Sequence, residues 1–260
     1  MKKLTILIII TCIGFSSCEK VINLDLDNTS PKLVIEGNIY NQPGPYIVKI
    51  RQSVSFDEAN DYPAVSGAEV IIDDNHGVKD TLSETTPGMY ATSKIQGIPG
   101  YTYSLSVTVD KNTYTASSTM PSPIGIDSIF FEKFVIGNFD MVSIKFQDHG
   151  AIANYYRIVE YYNGKRETDF YTISDDVYDG RVITYSIFAT EDNDFLFNSG
   201  DEITIWLESI DKGVYDYFRT AAENSIDSQS STPANPLSNL SNGALGYFSA
   251  CAFTSKTIVF

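Results

Sequence analysis

Tyr101-Thr102-Tyr103-Ser104-Leu105-Ser106-Val107-Thr108-Val109 alternates large apolar and small polar side chains without a break. Side chains on an extended strand point to opposite faces in turn, so a period of two marks a strand with one face buried. Thr113-Tyr114-Thr115-Ala116-Ser117 follows across Lys111-Asn112, a hairpin turn, and the pair of runs sets the fold class as β.

The same pattern extends in both directions. Lys32-Leu33-Val34-Ile35-Glu36-Gly37-Asn38-Ile39-Tyr40 is β-rich and stops at Asn41-Gln42-Pro43-Gly44-Pro45. Tyr46 to Arg51 and Val65 to Asp73 are further strands, and Asp74-Asn75-His76-Gly77 is turn chemistry. Residues 32–120 thus hold about seven short strands at even spacing, the pattern of a β-sandwich of immunoglobulin or transthyretin type. Met120-Pro121-Ser122-Pro123-Ile124-Gly125 breaks the pattern and is read as a domain boundary. Beyond it, residues 125–260 read as a second, C-terminal β-domain. Its strands are expected at 126–134, 141–146, 155–162, 181–189 and 202–210, with Asn163-Gly164 as a hairpin signal. Lys212 to Asn224 is the one expected helix, because Val214, Tyr217, Phe218, Ala221 and Ala222 form a single apolar stripe. Ser228 to Asn242 should be loop, and Ala244 to Phe260 a final buried strand or two. The overall expectation is a mainly all-β chain of two consecutive β-sandwich domains, the second with one helix.

The N-terminus is of another kind. Met1-Lys2-Lys3 is followed by an apolar run from Leu4 to Phe15 and then by Ser16-Ser17-Cys18. A cationic start, a short apolar stretch and a small-residue cleavage site make an export signal, residues 1–17, outside the fold. The run is shorter than the roughly 20 residues of a spanning helix. A cysteine just after the small pair makes it look like a lipoprotein signal, with Cys18 as the lipidated first residue of the mature chain. A single-pass anchor and a cleaved signal with an unmodified cysteine are the alternatives. Several acyl chains would hold the protein permanently on a membrane. Residues 18–31, with Asp25, Asp27, Asn28, Ser30 and Pro31, read as a solvated tether.

Composition narrows the function classes. The chain carries 33 acidic against 18 basic residues, a formal charge of −15, which becomes −17 once Lys2 and Lys3 leave with the signal. That acidity argues against nucleic acid and against electrostatic docking on anionic membranes. Of the three cysteines, Cys12 leaves with the signal and Cys18 takes lipid. Cys251 has no partner for a disulfide and sits in an apolar stretch, as buried filler does.

No constellation of catalytic residues stands out. His76 lies in a turn and His149 follows Asp148; both are expected on exposed loops, and neither has an evident orienting carboxylate. No Gly-x-Ser-x-Gly elbow occurs, and one cysteine with two separated histidines does not close a zinc site. Acidic loops occur at Asp73-Asp74-Asn75, at Asp175-Asp176 with Asp179, and at Glu191 to Asp194 with Asp201-Glu202. None follows the spacing of a calcium loop, so solvated turns are expected; were calcium held, Asp192, Asp194 and Asp201 are the candidates. Tyr155, Tyr156, Tyr161 and Tyr162 share one strand, with Tyr171, Tyr178 and Tyr185 after it. They suit half-buried packing or an aromatic face for sugars or peptides.

Several stretches carry a resemblance. They include Cys18-Glu19-Lys20-Val21-Ile22, Pro31 to Gly37, Pro43-Gly44-Pro45-Tyr46, Val65-Ser66-Gly67-Ala68, Pro87-Gly88-Met89-Tyr90 and Ile126-Asp127-Ser128-Ile129. The most specific is Asn235-Pro236-Leu237-Ser238-Asn239-Leu240-Ser241-Asn242-Gly243-Ala244-Leu245-Gly246-Tyr247-Phe248-Ser249-Ala250. Together they resemble domain of unknown function family 4249, lipoproteins of Bacteroidetes bacteria. The resemblance implies an outer-membrane lipoprotein and an accessory role beside a TonB-dependent receptor in nutrient uptake, and it supplies no catalytic residue and no cofactor. Periplasmic and cell-surface faces both stay open, since only Glu19 stands close behind Cys18 as the start of an acidic export run. The expectation is a non-catalytic binding module. A structural envelope protein without ligand and a hydrolase of exported polymers are the alternatives. The hydrolase would need two carboxylates about 5–10 Å apart in a cleft.

Overall fold

One strand, β15 (Leu245–Val259), organises the molecule. The computed structural model describes residues 31–54, 61–189, 196–226 and 235–260. The signal, Cys18 and the tether up to Ser30 lie outside the described residues.

The other strands of the first half are β1 (Leu33–Tyr40), β2 (Ile47–Gln52), β3 (Glu69–Asp74), β4 (Lys79–Thr81), β5 (Ser83–Thr86), β6 (Met89–Ala91), β7 (Thr102–Val109) and β8 (Asn112–Thr119). Those of the second half are β9 (Ile126–Phe134), β10 (Phe139–Gln147), β11 (Tyr155–Tyr162), β12 (Lys165–Ser174), β13 (Val182–Phe188) and β14 (Glu202–Ile210), followed by the helix α1 (Lys212–Ile226). Among the described residues the fold is an all-β sandwich with one helix. An eight-stranded sheet runs β12-β11-β14-β15-β1-β2-β6-β5, and two smaller sheets run β4-β3-β7-β8 and β13-β10-β9.

Period-two patterning explains the layers. Ile35 and Ile39 of β1 and Phe248, Ala250 and Ala252 of β15 point into a core shared with Val70, Ile72, Leu105 and Val107. Ile203, Ile205 and Leu207 of β14 and Ile158 of β11 point into a second core with Val142, Ile144, Ile183 and Ile187. Thr254, Lys256 and Ile258 continue the parity of Phe248 and Ala250, and they meet Ile124, Ile126 and the second core. Both small sheets therefore cover one face of the long sheet. The other face carries Arg157, Glu208, Tyr247 and Cys251 and is covered by α1 through Val214 and Phe218.

β15 changes partner along its length. Leu245 to Cys251 pair in parallel with Val34 to Tyr40, and Ala252 to Val259 pair antiparallel with Glu202 to Ser209. Two asparagines extend the ladder where strands end. Asn41 accepts from Phe253 N at 2.9 Å and donates to Phe253 O at 3.2 Å. Asn239 does the same for Phe248 at 3.0 and 2.7 Å. The expected division into 32–120 and 125–260 thus separates the cores only in part. The first core takes Leu240, Ala244, Phe248, Ala250 and Ala252 from the chain's last stretch, and Pro31–Phe260 form one compact unit. The cause is the parallel β1–β15 pairing, which no local turn signal announces.

At two hairpins the turn chemistry is explicit. Asn163 and Gly164 both have positive φ, as the two-residue turn between β11 and β12 requires. Between β7 and β8 the positive-φ pair is Asp110 and Lys111, one residue earlier than expected.

Gly246 sits at φ +90°, and a Cβ there would lie 2.1 Å from the carbonyl oxygen of Ile35 on β1. Gly246→Ala is expected to cost more than about 3 kcal/mol in urea unfolding, because it strains the backbone and wedges the shared strand apart. Gly200→Ala has positive φ but open space around it, and should cost about 1 kcal/mol.

Candidate functional site

The open ends of the second core hold the groups able to meet a ligand or partner. At one end, Asp148 follows β10, and Asp175 and Asp179 follow β12. One carboxylate oxygen from each lies within 4.8 Å of the others. Asp148 and Asp175 are buried. Asp148 accepts from the Tyr156 hydroxyl and from Gly180 N at 2.8 Å. Asp175 accepts from Asn154 N and Asp179 from Ala151 N, at 2.8 and 2.7 Å. Burial, then the charges of Asp148, Asp179 and Asp176, push the Asp175 carboxyl up. Among the described residues this is where three carboxylates could hold a cation. Each of the three also accepts a hydrogen bond from the protein, which accounts for the cluster as loop organisation.

The calcium candidates fall elsewhere. Asp192 and Asp194 lie outside the described residues. Asp201 is at the opposite end of the second core, where it accepts from the Tyr162 hydroxyl, Asn163 Nδ2 at 3.0 Å and Asn198 N at 2.7 Å. Those bonds, Tyr162 first, hold its carboxyl down at about 2. Asp201 acts as a clamp between the β11–β12 hairpin and the chain leading into β14.

The remaining sequence candidates have structural surroundings. His76 is exposed, stacks on Tyr101 with ring centroids 3.7 Å apart, and meets Asn75 Oδ1. His149 is exposed on the rim of a cavity of about 320 Å³ beside the acidic cluster. Cys251 is fully buried, and burial, then the Glu208 charge, pushes its thiol pKa well up. The β11 tyrosines divide by parity. Tyr156 and Tyr162 face the second core, while Tyr155 and Tyr161 lie on the helix side against Tyr215 and Trp206. Trp206 itself stacks on Phe253 at 4.1 Å. Asn235 to Ala250 is scaffold rather than site where its bonds are seen: Ser238 Oγ donates to Gly246 O, and Asn242 Nδ2 donates to Thr113 O.

Two buried features were hidden in the sequence. Arg157 Nε donates to Glu208 Oε2 at 2.6 Å under the Phe218 ring, whose centroid is 3.9 Å from the guanidinium carbon. Burial alone would lower the guanidinium pKa; the Glu208 charge reverses that and holds the arginine charged. Glu160 is only 4% exposed and sits at the β11–β12 irregularity. Burial, then Glu167 and Asp169, raise its carboxyl from 4.5 to about 7.

At the end of the second core where Asp201 sits, the β9–β10 hairpin carries Phe134-Val135-Ile136-Gly137-Asn138-Phe139. Val135 is 94% exposed and Ile136 76% exposed. Phe188 of β13 joins them, 5.4 Å from Phe134 and 6.4 Å from Phe139 between ring centroids. Charge at the base of this tip is already paired, since Lys133 meets Asp140 at 2.6 Å.

The family described as Domain of unknown function (DUF4249) matches residues 19–257, nearly the whole chain. The chain belongs to that family. No curated protein matches it. A solved structure described as "Cytokine receptor complex - Crystal form 1A" is similar at 8% identity and a TM-score of 0.26, over 87% of this chain and 95% of that one. A likeness at that score carries no argument about this chain.

Breaking the buried pair should be costly, because the remaining charge stays buried alone. Arg157→Met is expected to lose about 3–5 kcal/mol in denaturant unfolding, and Arg157→Met with Glu208→Leu to recover most of it. Glu160 has the opposite pH sign from a paired carboxylate. The folded chain keeps a proton that the unfolded chain releases, so this contribution is present below pH 4.5, falls as pH rises to about 7, and is absent above. Glu160→Gln should therefore match the parent near pH 4 and exceed it by about 2–3 kcal/mol at pH 8.

Proposed function

We propose that this chain is an exported lipoprotein, anchored at the outer membrane by lipid on Cys18, and that it works as a non-catalytic interaction module beside a TonB-dependent receptor. The apolar tip at Phe134 to Phe139 is the observation that carries this reading. Large apolar side chains that protrude together mark contact surfaces more often than chance exposure does.

Position argues for a protein partner rather than the bilayer. The tether joins the body at β1, whose start lies beside Leu245 at the start of β15. The tip stands past the far end of β15, where Phe131 meets Phe260. Fourteen steps of strand separate the two ends, about 45 Å at the usual rise. The tip therefore lies at the end of the body opposite the start of β1. The acidic body, formally −15, would be repelled by anionic lipid, whereas an uncharged tip can seat in an apolar recess of a receptor.

Purification of the tagged full-length protein in mild detergent from its own membranes tests both parts. A TonB-dependent receptor should be recovered in stoichiometric amount and survive a high-salt wash, since an apolar contact is not screened. Val135→Asp with Ile136→Asp should lose it while unfolding at the parent's midpoint, and Cys18→Ser should leave the membrane fraction. Recovery of the parent chain alone would overturn the receptor reading and favour a free-standing envelope protein.

A further inference from the structure

The cavity at the other end of the second core has the features of a built site. It opens between the linker 119–124, the loop 149–154 and the junction of β14 with α1. Its volume of about 320 Å³ is at the low end of small-molecule sites, roughly 300–1,000 Å³.

Two polar atoms at this cavity lack partners. Ser209 is only 3% exposed, and its Oγ makes no hydrogen bond. Asn154 Oδ1 is buried and likewise makes none. Both residues line the cavity. Ser209 sits on the central strand β14, opposite Tyr156 on one side and Ala252 on the other. Residues directly opposite share a face, so Ser209 points with Tyr156 into the open end of the sandwich. Native structures rarely leave such groups buried and unsatisfied, because each costs its full desolvation.

The surroundings hold these atoms in place. Asp175 fixes the Asn154 backbone and Asp148 fixes the Tyr156 hydroxyl, so the acidic cluster forms the outer support of this wall. Charges at the mouth are already engaged. Asp211 accepts from Ser118 Oγ, Thr119 N and Val214 N, and Lys212 Nζ donates to Asp216 at 2.5 Å. What remains buried and unpaired is one hydroxyl and one amide oxygen, both neutral. The walls between them are apolar, from Pro121, Ile124, Ile152, Tyr155 and Ile210.

From this geometry we infer that the cavity binds a small neutral ligand with a hydroxylated ring, the chemistry of a monosaccharide. The two polar atoms lie just under the wall, so a turn of each side chain lets the ligand's hydroxyls donate to Asn154 Oδ1 and bond Ser209 Oγ, with its C–H face on Ile152. A charged ligand would meet no free lysine, arginine or carboxylate on the inner walls, where His149 stands only at the exposed rim, and a purely apolar one would leave both atoms orphaned. The inference deepens the reading of the chain as a binding module. Receptor capture through the apolar tip tests that reading separately, at the opposite end of the sandwich.

Titration calorimetry of the detergent-solubilised full-length protein with glucose, galactose, xylose and maltose, and with galacturonate as the charged counterpart, tests the site. At least one neutral sugar should bind one-to-one, and galacturonate more weakly. Ser209→Ala should weaken binding about five- to tenfold while leaving the melting temperature unchanged or higher, since it removes an unsatisfied hydroxyl. A merely structural serine would lower the melting temperature instead. Ala153→Trp, at an exposed position on the rim, should close the mouth and abolish binding in a chain that still folds. Failure of all four neutral sugars to bind, tighter binding of galacturonate, or binding indifferent to both substitutions would each overturn the inference.

Discussion

A strand can serve two cores only if its side-chain parity never slips. β15 meets that constraint over 15 residues, keeping Phe248, Ala250, Ala252, Thr254 and Ile258 on one face while its partner changes from β1 to β14. A one-residue slip would turn each of these toward α1 and bring Tyr247 and Cys251 into the core. Register is held from both sides. Asn239 and Asn41 supply amide groups where a neighbouring backbone is missing, and Gly246 lets β1 approach to a distance that no side chain would permit. The β1–β15 pairing joins residues about 210 apart in sequence, so closing it carries a large entropic cost that local contacts do not.

The helix follows from what that parity places on the opposite face. Arg157 and Glu208 are outward residues on adjacent strands, paired across the ladder, and without a cover they would be an ordinary surface contact. α1 lays Phe218 over the guanidinium and makes it a desolvated pair. The helix start is tied to the first half of the chain, because its cap residue Asp211 also accepts from Ser118 and Thr119 at the end of β8. Ser118 in turn accepts from Ala250 N on β15. One carboxylate and one hydroxyl thus fasten the helix, the four-stranded sheet and the shared strand at a single point.

Local elements were legible because their signals are local. β11 and β14 fall at the expected bounds, Asn163-Gly164 makes the expected turn, and α1 starts at the expected lysine. β12 was missed because Lys165-Arg166-Glu167-Thr168-Asp169 shows no alternation; as an edge strand with an irregular register it buries little along that stretch. The features that depend on distant partners left no trace. Asp148 meets Asp175 and Asp179 only after β11 and β12 fold back, and Arg157 meets Glu208 across 51 residues. The tip carried no signal of its own either. Val135 and Ile136 fall just past the expected strand end at Phe134, and the turn at Gly137 and Asn138 carries them out of the core.

The two ends of the second sandwich differ in chemistry for a reason built into the strands. Each end exposes the turns of β9–β14, and whatever projects there is free of the packing that fixes the middle. At the end past β15, Asp201, Tyr162 and Asn163 bind one another, so the polar groups are satisfied and the hairpin beside them can present uncharged apolar side chains to a partner. At the other end three aspartates are engaged in holding loops, and the buried groups left over, Ser209 Oγ and Asn154 Oδ1, are neutral. A protruding apolar surface suits contact with another macromolecule, and a recessed neutral one suits a small molecule. One sandwich carries both because its loops are held at each end by carboxylates, Asp201 at one and Asp148, Asp175 and Asp179 at the other.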